Sequence, residues 1–233
     1  ATKRTATVGM PLCGCGIIIG IITMTGLATR LSILICSIGG THLWIGLLIA
    51  MIGCMLLGMA LPTVAAYLTA YVLFMPTLLK LGIDILPANM FLFYYGIFAQ
   101  ITPPVCVASY TAAGIANSNS WKTGWKAFSY ALCAFLAPFV FVYQPGVLLI
   151  GSFAEIVYAI FTLAAGTFVL TVGLAGYFTV GLTKLERVLC VVCGVFICLP
   201  ESTTDLIGYI GAVVVMALIL LRGRTAKKQL AKD

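Results

Sequence analysis

Long runs of apolar residues, separated by short polar stretches, dominate the chain. The apolar residues are continuous rather than alternating, which is typical of helices in lipid and not of β-barrel strands. A membrane-spanning helix needs about 20 such residues, so the pattern predicts about eight membrane segments. They cover residues 11–28, 33–58, 64–79, 88–115, 127–150, 153–183, 188–200 and 206–221.

The composition supports the same conclusion. Of the 233 residues 62% are hydrophobic and only 8% are charged, which leaves too little polar surface for a water-soluble globule. No connection between the segments is long enough to fold as a soluble domain, which excludes most enzymes that carry catalysis outside the bilayer. We therefore expect an all-α, polytopic membrane protein that is not an enzyme and has no cofactor.

The charged residues predict an orientation. If the segments at 33–58 and 64–79 pair as a hairpin and every later segment crosses once, one side receives most of the basic residues. By the positive-inside rule that side is the cytoplasm, so both termini are predicted to be cytoplasmic in a bacterial inner membrane. Two full crossings and a re-entrant hairpin both return the chain to the same side of the membrane, so the charges do not distinguish between these two arrangements. The basic residues on the cytoplasmic side are Lys3, Arg4, Lys122, Lys126, Lys184, Arg187, Arg222, Arg224, Lys227, Lys228 and Lys232.

Other readings of the polar residues are weaker. The net charge of +7 is scattered over segment ends, so a membrane anchor is favoured and no nucleic-acid partner is expected. Cys190 and Cys193 have CxxC spacing but no second pair or histidine nearby, which favours helix packing over metal or redox chemistry. The amino terminus has no initiator methionine and no signal-peptide pattern, so the chain is open to being a fragment of a longer protein.

The first helix break is predicted at Gly58-Met-Ala-Leu-Pro-Thr63. Pro62 has no amide proton and disfavours helix at the residue before it, while Gly58 tolerates unusual backbone conformations. A turn is therefore expected between two helical arms. Such a break is tolerated at membrane depth only where protein or a watery cavity satisfies the backbone groups.

The second break is predicted at Ala99-Gln-Ile-Thr-Pro-Pro-Val105. Pro103 and Pro104 have no backbone N–H to donate, so carbonyl groups of the preceding turn lose their helical partners. These carbonyl groups become candidate cation ligands. Gln100, Thr102 and Thr63 add side-chain oxygens that suit a hard ion such as sodium. Helix amino termini after Thr63 and Pro104 would face an anionic group of a substrate.

The alternative is that both breaks are proline kinks without function, as occurs in many membrane helices. Two breaks in succession, each with a threonine beside a proline, favour a transporter site instead. No Asp, Glu, Lys, Arg or His lies near the middle of a predicted segment, which argues against proton coupling through a carboxylate. An intramembrane enzyme is also disfavoured because no nucleophile–base pair or HExxH motif is present.

At these motifs the sequence resembles the large membrane subunit of the tripartite ATP-independent periplasmic (TRAP) transporters. It is most similar to the carboxy-terminal half of the fused permeases that work with TAXI-type binding proteins. The resemblance runs from about Cys13 to Leu149 and rests mainly on the ordered pair of breaks. Further matches are Gly16-Ile-Ile-Ile-Gly20, Thr23-Met-Thr-Gly26, Leu81-Gly82, Gly124-Trp125 and Pro138-Phe-Val-Phe-Val-Tyr143.

The resemblance implies an elevator-type transporter of two inverted repeats, each with a re-entrant hairpin and a broken helix. Residues 1–151 would form the second repeat, with its hairpin at 43–79 and its broken helix at 88–115, and residues 152–233 would add further helices and a basic cytoplasmic tail. The implied sodium site consists of Gly58, Pro62, Thr63, Ala99, Thr102 and Pro103. The implied substrate contacts are Thr63, Gln100, Thr102 and Pro104.

The resemblance further implies import of a solute, typically a carboxylate, that a periplasmic solute-binding protein delivers. The sequence departs from the family pattern in one respect that matters, because it holds no second copy of either motif. The chain is therefore expected to need partners beyond the lipid bilayer, namely a missing amino-terminal half or a small membrane subunit. A channel or a non-transporting structural subunit is the alternative that explains the missing half equally well.

Overall fold

The computed structural model describes residues 17–22, 24–39, 43–59, 61–104, 106–178, 181–198, 208–217 and 219. The regular structure of these residues is helical, and the described part has no strand beyond an isolated bridge between Tyr177 and Gly181, which confirms the predicted all-α class. It divides into two compact units, Ala1–Phe128 and Ser129–Asp233. The predicted basic tail, Lys3, Arg4 and Val105 lie outside the described residues.

The helices follow the apolar runs. We number them α1 to α10 in chain order, and three short 3-10 helices, Ala99–Ile101, Leu132–Leu136 and Pro145–Leu148, lie among them. Residues 17–22 and 24–25 are also helical. The numbered helices of the described part are α1 Leu27–Gly39, α2 Leu43–Gly58, α3 Thr63–Lys80, α4 Ile85–Phe98, α5 Val107–Ile115, α6 Ser120–Ala131, α7 Ala137–Tyr143, α8 Phe153–Ala175, α9 Lys184–Cys198 and α10 Gly208–Ala217.

Three helical stretches in the described part are long and apolar enough to cross a membrane: Thr63–Lys80, Ser120–Tyr143 and Phe153–Ala175. Helices α2 and α10 and the stretch Ile85–Ile101 are apolar but shorter. The predicted segment at 127–150 is displaced, since its helix begins at Ser120 and ends at Tyr143. Lys122 and Lys126 are exposed, so the helix continues through them, and the turn at Gln144 and Pro145 stops it.

Helices α2 and α3 form a helical hairpin in the first unit. Small residues let the arms approach, because a Cβ atom added at Gly53 would overlap the ring of Phe74. A Cβ atom at Gly46 would lie 2.5 Å from Leu81 Cδ1. Ala50 and Ala66 are fully or almost fully buried. This close packing resembles the small-residue interfaces by which membrane helices associate.

The second arm of the hairpin ends in a tight turn that leads into the broken helix. Gly82 has a left-handed backbone with φ +83°, which a residue without Cβ adopts readily. The amide of Ile83 donates to the carbonyl of Leu78 at 3.1 Å, and the amide of Gly82 donates to Leu79 at 3.0 Å. These bonds satisfy the last carbonyls of α3 in the manner of a Schellman motif. Helix α4 then begins at Ile85.

In the second unit α8, α9 and α10 pack around small residues. A Cβ atom at Gly194 would lie 2.9 Å from the backbone nitrogen of Leu170, and one at Gly166 would lie 2.5 Å from Cys198 Sγ. Cys190 and Cys193 are buried in an apolar cluster that α8, α9 and α10 share. Both thiols therefore take part in helix packing, as the sequence analysis favoured.

The turn between α8 and α9 is held by polar side chains. Thr183 and Glu186 form a reciprocal cap at the start of α9, with the amide of Thr183 donating to Glu186 Oε2 at 2.7 Å. Arg187 donates from Nε to the carbonyl of Gly173 at 3.2 Å and from Nη2 to that of Leu174 at 2.8 Å. The guanidinium group thus occupies the carboxyl end of α8, where a cation is favourable.

Candidate functional site

The tip of the helical hairpin is a short turn stabilised by its own backbone. Helix α2 ends at Gly58, and the amide of Leu61 donates to the Gly58 carbonyl at 3.3 Å. Pro62 precedes the first residue of α3, Thr63, and its carbonyl accepts the amide of Ala66 at 2.9 Å. Because proline has no N–H to leave unsatisfied, it suits this position at a helix start.

The broken helix contains a change of geometry over residues 99–104 and 106. Helix α4 tightens into the 3-10 turn Ala99–Ile101, and the backbone becomes extended at Thr102. The Pro103–Pro104 peptide bond is cis. Cys106 has a left-handed backbone with φ 36°, and α5 starts directly after it. The interruption lies where the consecutive prolines predict it, since neither can donate a helical hydrogen bond.

The two breaks contact each other. Gln100 Nε2 donates a 3.0 Å hydrogen bond to the carbonyl of Leu61 at the hairpin tip, 39 residues earlier in the chain. A Cβ atom added at Gly58 would lie 2.6 Å from Ala99 Cβ and 3.3 Å from the carbonyl oxygen of Gly96. The hairpin tip and the break therefore form one structural unit, which we call the joined breaks (residues 58, 59, 61–63, 96–104 and 106).

The predicted site residues occupy the joined breaks with different exposures. Gly58, Ala99 and Thr102 are buried, and Pro104 is exposed. The other four, Pro62, Thr63, Gln100 and Pro103, are partly buried. The breaks thus bring together residues from both predicted motifs, with side chains at a range of depths. Whether these residues bind an ion or a substrate stays a prediction.

Thr102 has a geometry suited to a ligand. Its hydroxyl donates to the carbonyl of Phe98 at 2.7 Å, and its side chain is 7% exposed. A hydroxyl that has donated its proton in this way still has lone pairs with which to coordinate a cation. Pro103 and Pro104 cannot donate to the carbonyls of Ala99 and Gln100, four residues before them. Oxygen atoms are therefore concentrated on the amino-terminal side of the prolines.

The carboxy-terminal side of the break is held from α5 and α6. The Tyr110 hydroxyl donates to the carbonyl of Pro104 at 2.8 Å. A Cβ atom at Gly124 would lie 3.1 Å from the Tyr110 ring and 3.3 Å from Cys106 Sγ. Gly124 therefore lets α6 pack closely on the start of α5. The sequence analysis did not predict the role of Tyr110, although its position one turn into α5 offered a signal.

Comparison with known proteins identifies the family to which these motifs belong. The family model of the DctM component of tripartite ATP-independent periplasmic transporters matches residues 1–156, more than half of the 233-residue chain. The chain belongs to this family. The matched region contains both breaks. No curated protein and no solved structure matches the chain.

Membership in the DctM family makes the chain a membrane component of a TRAP transporter, as the motif resemblance implied. This is a transporter family and not a class of enzymes. It implies a periplasmic binding protein and a small membrane subunit as partners, and the inner membrane as the location. The described residues contain no group of three or more His, Cys, Asp or Glu side chains arranged to hold a metal ion.

Proposed function

We propose that this DctM chain forms the second repeat of an elevator-type, sodium-coupled importer of an organic carboxylate. The solute would be delivered by a TAXI-type binding protein. The missing amino-terminal half or the small membrane subunit would complete the permease, with both termini of this chain in the cytoplasm. The observation that supports the proposal best is the contact between the two breaks, in which Gln100 donates to the Leu61 carbonyl.

Sodium is favoured because the predicted site residues in the joined breaks offer oxygen atoms, while the thiol of the neighbouring Cys106 donates to the carbonyl of Ile101. Hard monovalent and divalent cations prefer carbonyl, hydroxyl and water oxygens. The Thr102 hydroxyl and the carbonyls before Pro103 are such groups, and Thr63 adds a hydroxyl from the hairpin tip. Broken helices with this inventory hold coupling ions in other transporters.

A carboxylate is favoured by the two helix starts at the joined breaks. Helix α3 begins at Thr63 and α5 begins at Val107, directly after the two breaks. The amino end of a helix carries partial positive charge and free N–H groups, so it attracts anions. Sodium at the carbonyl side and a carboxylate at the amide side would neutralise each other within one cavity.

A sodium-binding measurement tests this proposal without knowledge of the solute. A ligand that binds only the folded state stabilises it by RT ln(1 + [L]/Kd). With a Kd on the order of 10 mM, about 200 mM NaCl adds about 1.8 kcal/mol relative to choline chloride. We expect thermal unfolding of the purified protein to move to higher temperature in NaCl and not in choline chloride.

Thr102→Val and Thr69→Val form a matched pair of variants. Thr69 is also buried and also donates to the carbonyl four residues before it, at 2.9 Å, but it lies within α3. Thr102→Val should abolish most of the sodium-dependent shift, while Thr69→Val should retain it. Sodium-dependent uptake of carboxylates in proteoliposomes with the binding protein should likewise fall in Thr102→Val and persist in Thr69→Val. Equal melting temperatures in both salts would refute sodium binding and favour a structural or channel-type subunit.

A further inference from the structure

A cavity of about 400 Å³ lies in the second unit, beside the link between α7 and α8. Its wall is mostly apolar and includes Pro145, Gly146 and Ala159. The polar groups of Gln144, Glu155 and Tyr158 also line it. A cavity of this size with a few polar groups on an apolar wall has the usual form of a small-molecule site.

Gln144 presents a buried polar atom that lacks a partner. Its Oε1 atom is shielded from solvent and has no hydrogen-bond partner among the residues that the structure describes. A buried polar atom without a partner costs about 1–3 kcal/mol. The side chain lines the cavity, so a rotation that turns Oε1 toward the cavity lets a bound molecule supply the missing bond. As an amide oxygen this atom only accepts, so the missing partner is a hydrogen-bond donor.

Glu155 determines which kind of ligand group the cavity favours. Its Oε2 accepts the backbone amide of Ser152 at 2.9 Å as part of the capping box at the start of α8. The other carboxylate oxygen is not used by that bond. No Lys or Arg is among the residues that line the cavity. A carboxylate and an amide oxygen on one wall favour a ligand that is a cation with N–H donors.

An apolar groove continues from the cavity along α8. It has a volume of about 530 Å³ and is lined by Phe153, Ala154, Val157, Tyr158 and Phe161. Tyr158 lines both the cavity and the groove. The groove runs over the first two turns of a helix that is long and apolar enough to cross a membrane. A cavity with a few polar groups at a helix end and an apolar groove leading from it fits an amphiphile at the membrane boundary.

We propose that this cavity and groove bind a phospholipid whose headgroup ends in a primary ammonium, such as phosphatidylethanolamine. The ammonium group donates to Gln144 Oε1 and to the Glu155 carboxylate, and an acyl chain lies against Val157 and Phe161. A trimethylated headgroup has the same charge but no N–H donor, so it cannot make these bonds. An anionic headgroup is repelled by Glu155. The proposal does not depend on sodium coupling.

Native mass spectrometry of the purified chain with added lipids tests the proposal. Phosphatidylethanolamine should bind about tenfold more tightly than phosphatidylcholine, which corresponds to a hydrogen bond involving a charged group. Phosphatidylglycerol should bind no better than phosphatidylcholine. Soluble glycerophosphoethanolamine shares the headgroup but lacks acyl chains, so it should compete poorly. Equal affinity for the three lipids would overturn the proposal without any variant.

Two glutamates provide a matched pair. Glu155→Gln retains the capping box, because glutamine also accepts at this position, but it removes the negative charge from the cavity. Glu186→Gln makes the same change at the cap of α9, whose glutamate does not line the cavity. The preference for the ethanolamine lipid should fall about tenfold in the first variant and persist in the second. An unchanged preference in Glu155→Gln would contradict the assignment of the ammonium site.

The groove is tested separately. Ala154→Trp fills it, and Ile160→Trp places the same side chain on α8 at an exposed position outside it. Only the first substitution should weaken lipid binding. If both variants bind as the parent does, or if glycerophosphoethanolamine competes as well as the whole lipid, the apolar groove is not part of the site. Gln144→Leu adds a further check on the headgroup contact.

Discussion

Gly58→Ala should separate the two breaks. Gly58 is the last residue of α2 and is buried, and a Cβ atom added there would lie 2.6 Å from Ala99 Cβ. Two methyl carbons normally approach to about 3.5–4.0 Å. The hairpin tip would therefore have to move by about 1 Å, and the nearby oxygen of Gly96, at 3.3 Å from the added atom, blocks a sideways shift.

The energetic cost follows from the same distances. Overpacking of a well-packed core costs about 1–3 kcal/mol. Replacing glycine by alanine within a helix returns up to about 1 kcal/mol, and less at the final residue. The net destabilisation should therefore be about 1–2 kcal/mol. Because the bond from Gln100 to Leu61 spans the same contact, the substitution should also lower the affinity for any ligand that both breaks bind.

A swap of the two residues isolates the contact. Gly58→Ala combined with Ala99→Gly moves the methyl group from one side of the contact to the other. The double variant should be more stable than the sum of the single changes predicts, with a coupling energy of about 1 kcal/mol or more. Thermal unfolding, followed by fluorescence, measures the stability of the parent, the two single variants and the double variant. The same variants can be assayed for the sodium-dependent shift.

Gly114→Ala is the control. Gly114 lies in α5, and a Cβ atom added there would have no atom within 4 Å outside its own helix. This variant should equal or slightly exceed the parent in stability, because alanine is the better helix former. Additive effects of Gly58→Ala and Ala99→Gly would refute the reasoning, since they would mean that the two breaks do not meet.

Two further predictions concern the second unit. Tyr209→Phe removes the 3.2 Å bond from the Tyr209 hydroxyl to the fully buried Thr162 and should lower the free energy of unfolding by about 1 kcal/mol; equal melting temperatures would show that the bond contributes nothing. Gly194→Ala places a Cβ atom 2.9 Å from the Leu170 backbone and should cost about 1–3 kcal/mol in thermal unfolding, whereas Gly181→Ala, which has open space around it, should be neutral.

The positions of both breaks could be predicted because they follow from local backbone chemistry. Pro62 cannot donate a hydrogen bond and restricts the residue before it, so α2 and α3 had to be separated there. Pro103 and Pro104 act in the same way on α4 and α5. Such effects reach only a few residues along the chain. They require no knowledge of the tertiary structure.

The contact between the breaks could not be predicted from the residues alone. Gln100 and Leu61 are 39 residues apart, and their meeting depends on how α3 and α4 pack. Gln100 was predicted to offer a side-chain oxygen suited to a hard ion and to contact substrate, and the structure shows that its amide nitrogen donates to the Leu61 carbonyl at the hairpin tip. Its substrate contact stays a prediction. The close approach at Gly58 has the same origin, because a glycine alone does not reveal its neighbour.

Segment boundaries were less predictable where charged side chains lie on helices. Residues 127–150 were predicted as a segment because Lys126 ended the charged stretch. The helix begins at Ser120 instead, since Asn119 accepts the amide of Lys122 at 3.0 Å and caps the first turn. The sequence analysis likewise assigned no role to Glu155. Its role in the capping box depends on Ser152, which lies three residues earlier.

The guanidinium group of Arg187 has a consequence for how the chain enters the bilayer. It binds carbonyls 13 and 14 residues earlier, so the contact that closes the turn from α8 to α9 forms within a short stretch of chain. Contacts of low sequence separation form early. We therefore expect residues 153–198 to insert as a preassembled helical pair during synthesis. The charged group would hold the turn at the aqueous boundary, because a guanidinium charge is costly at the centre of the bilayer.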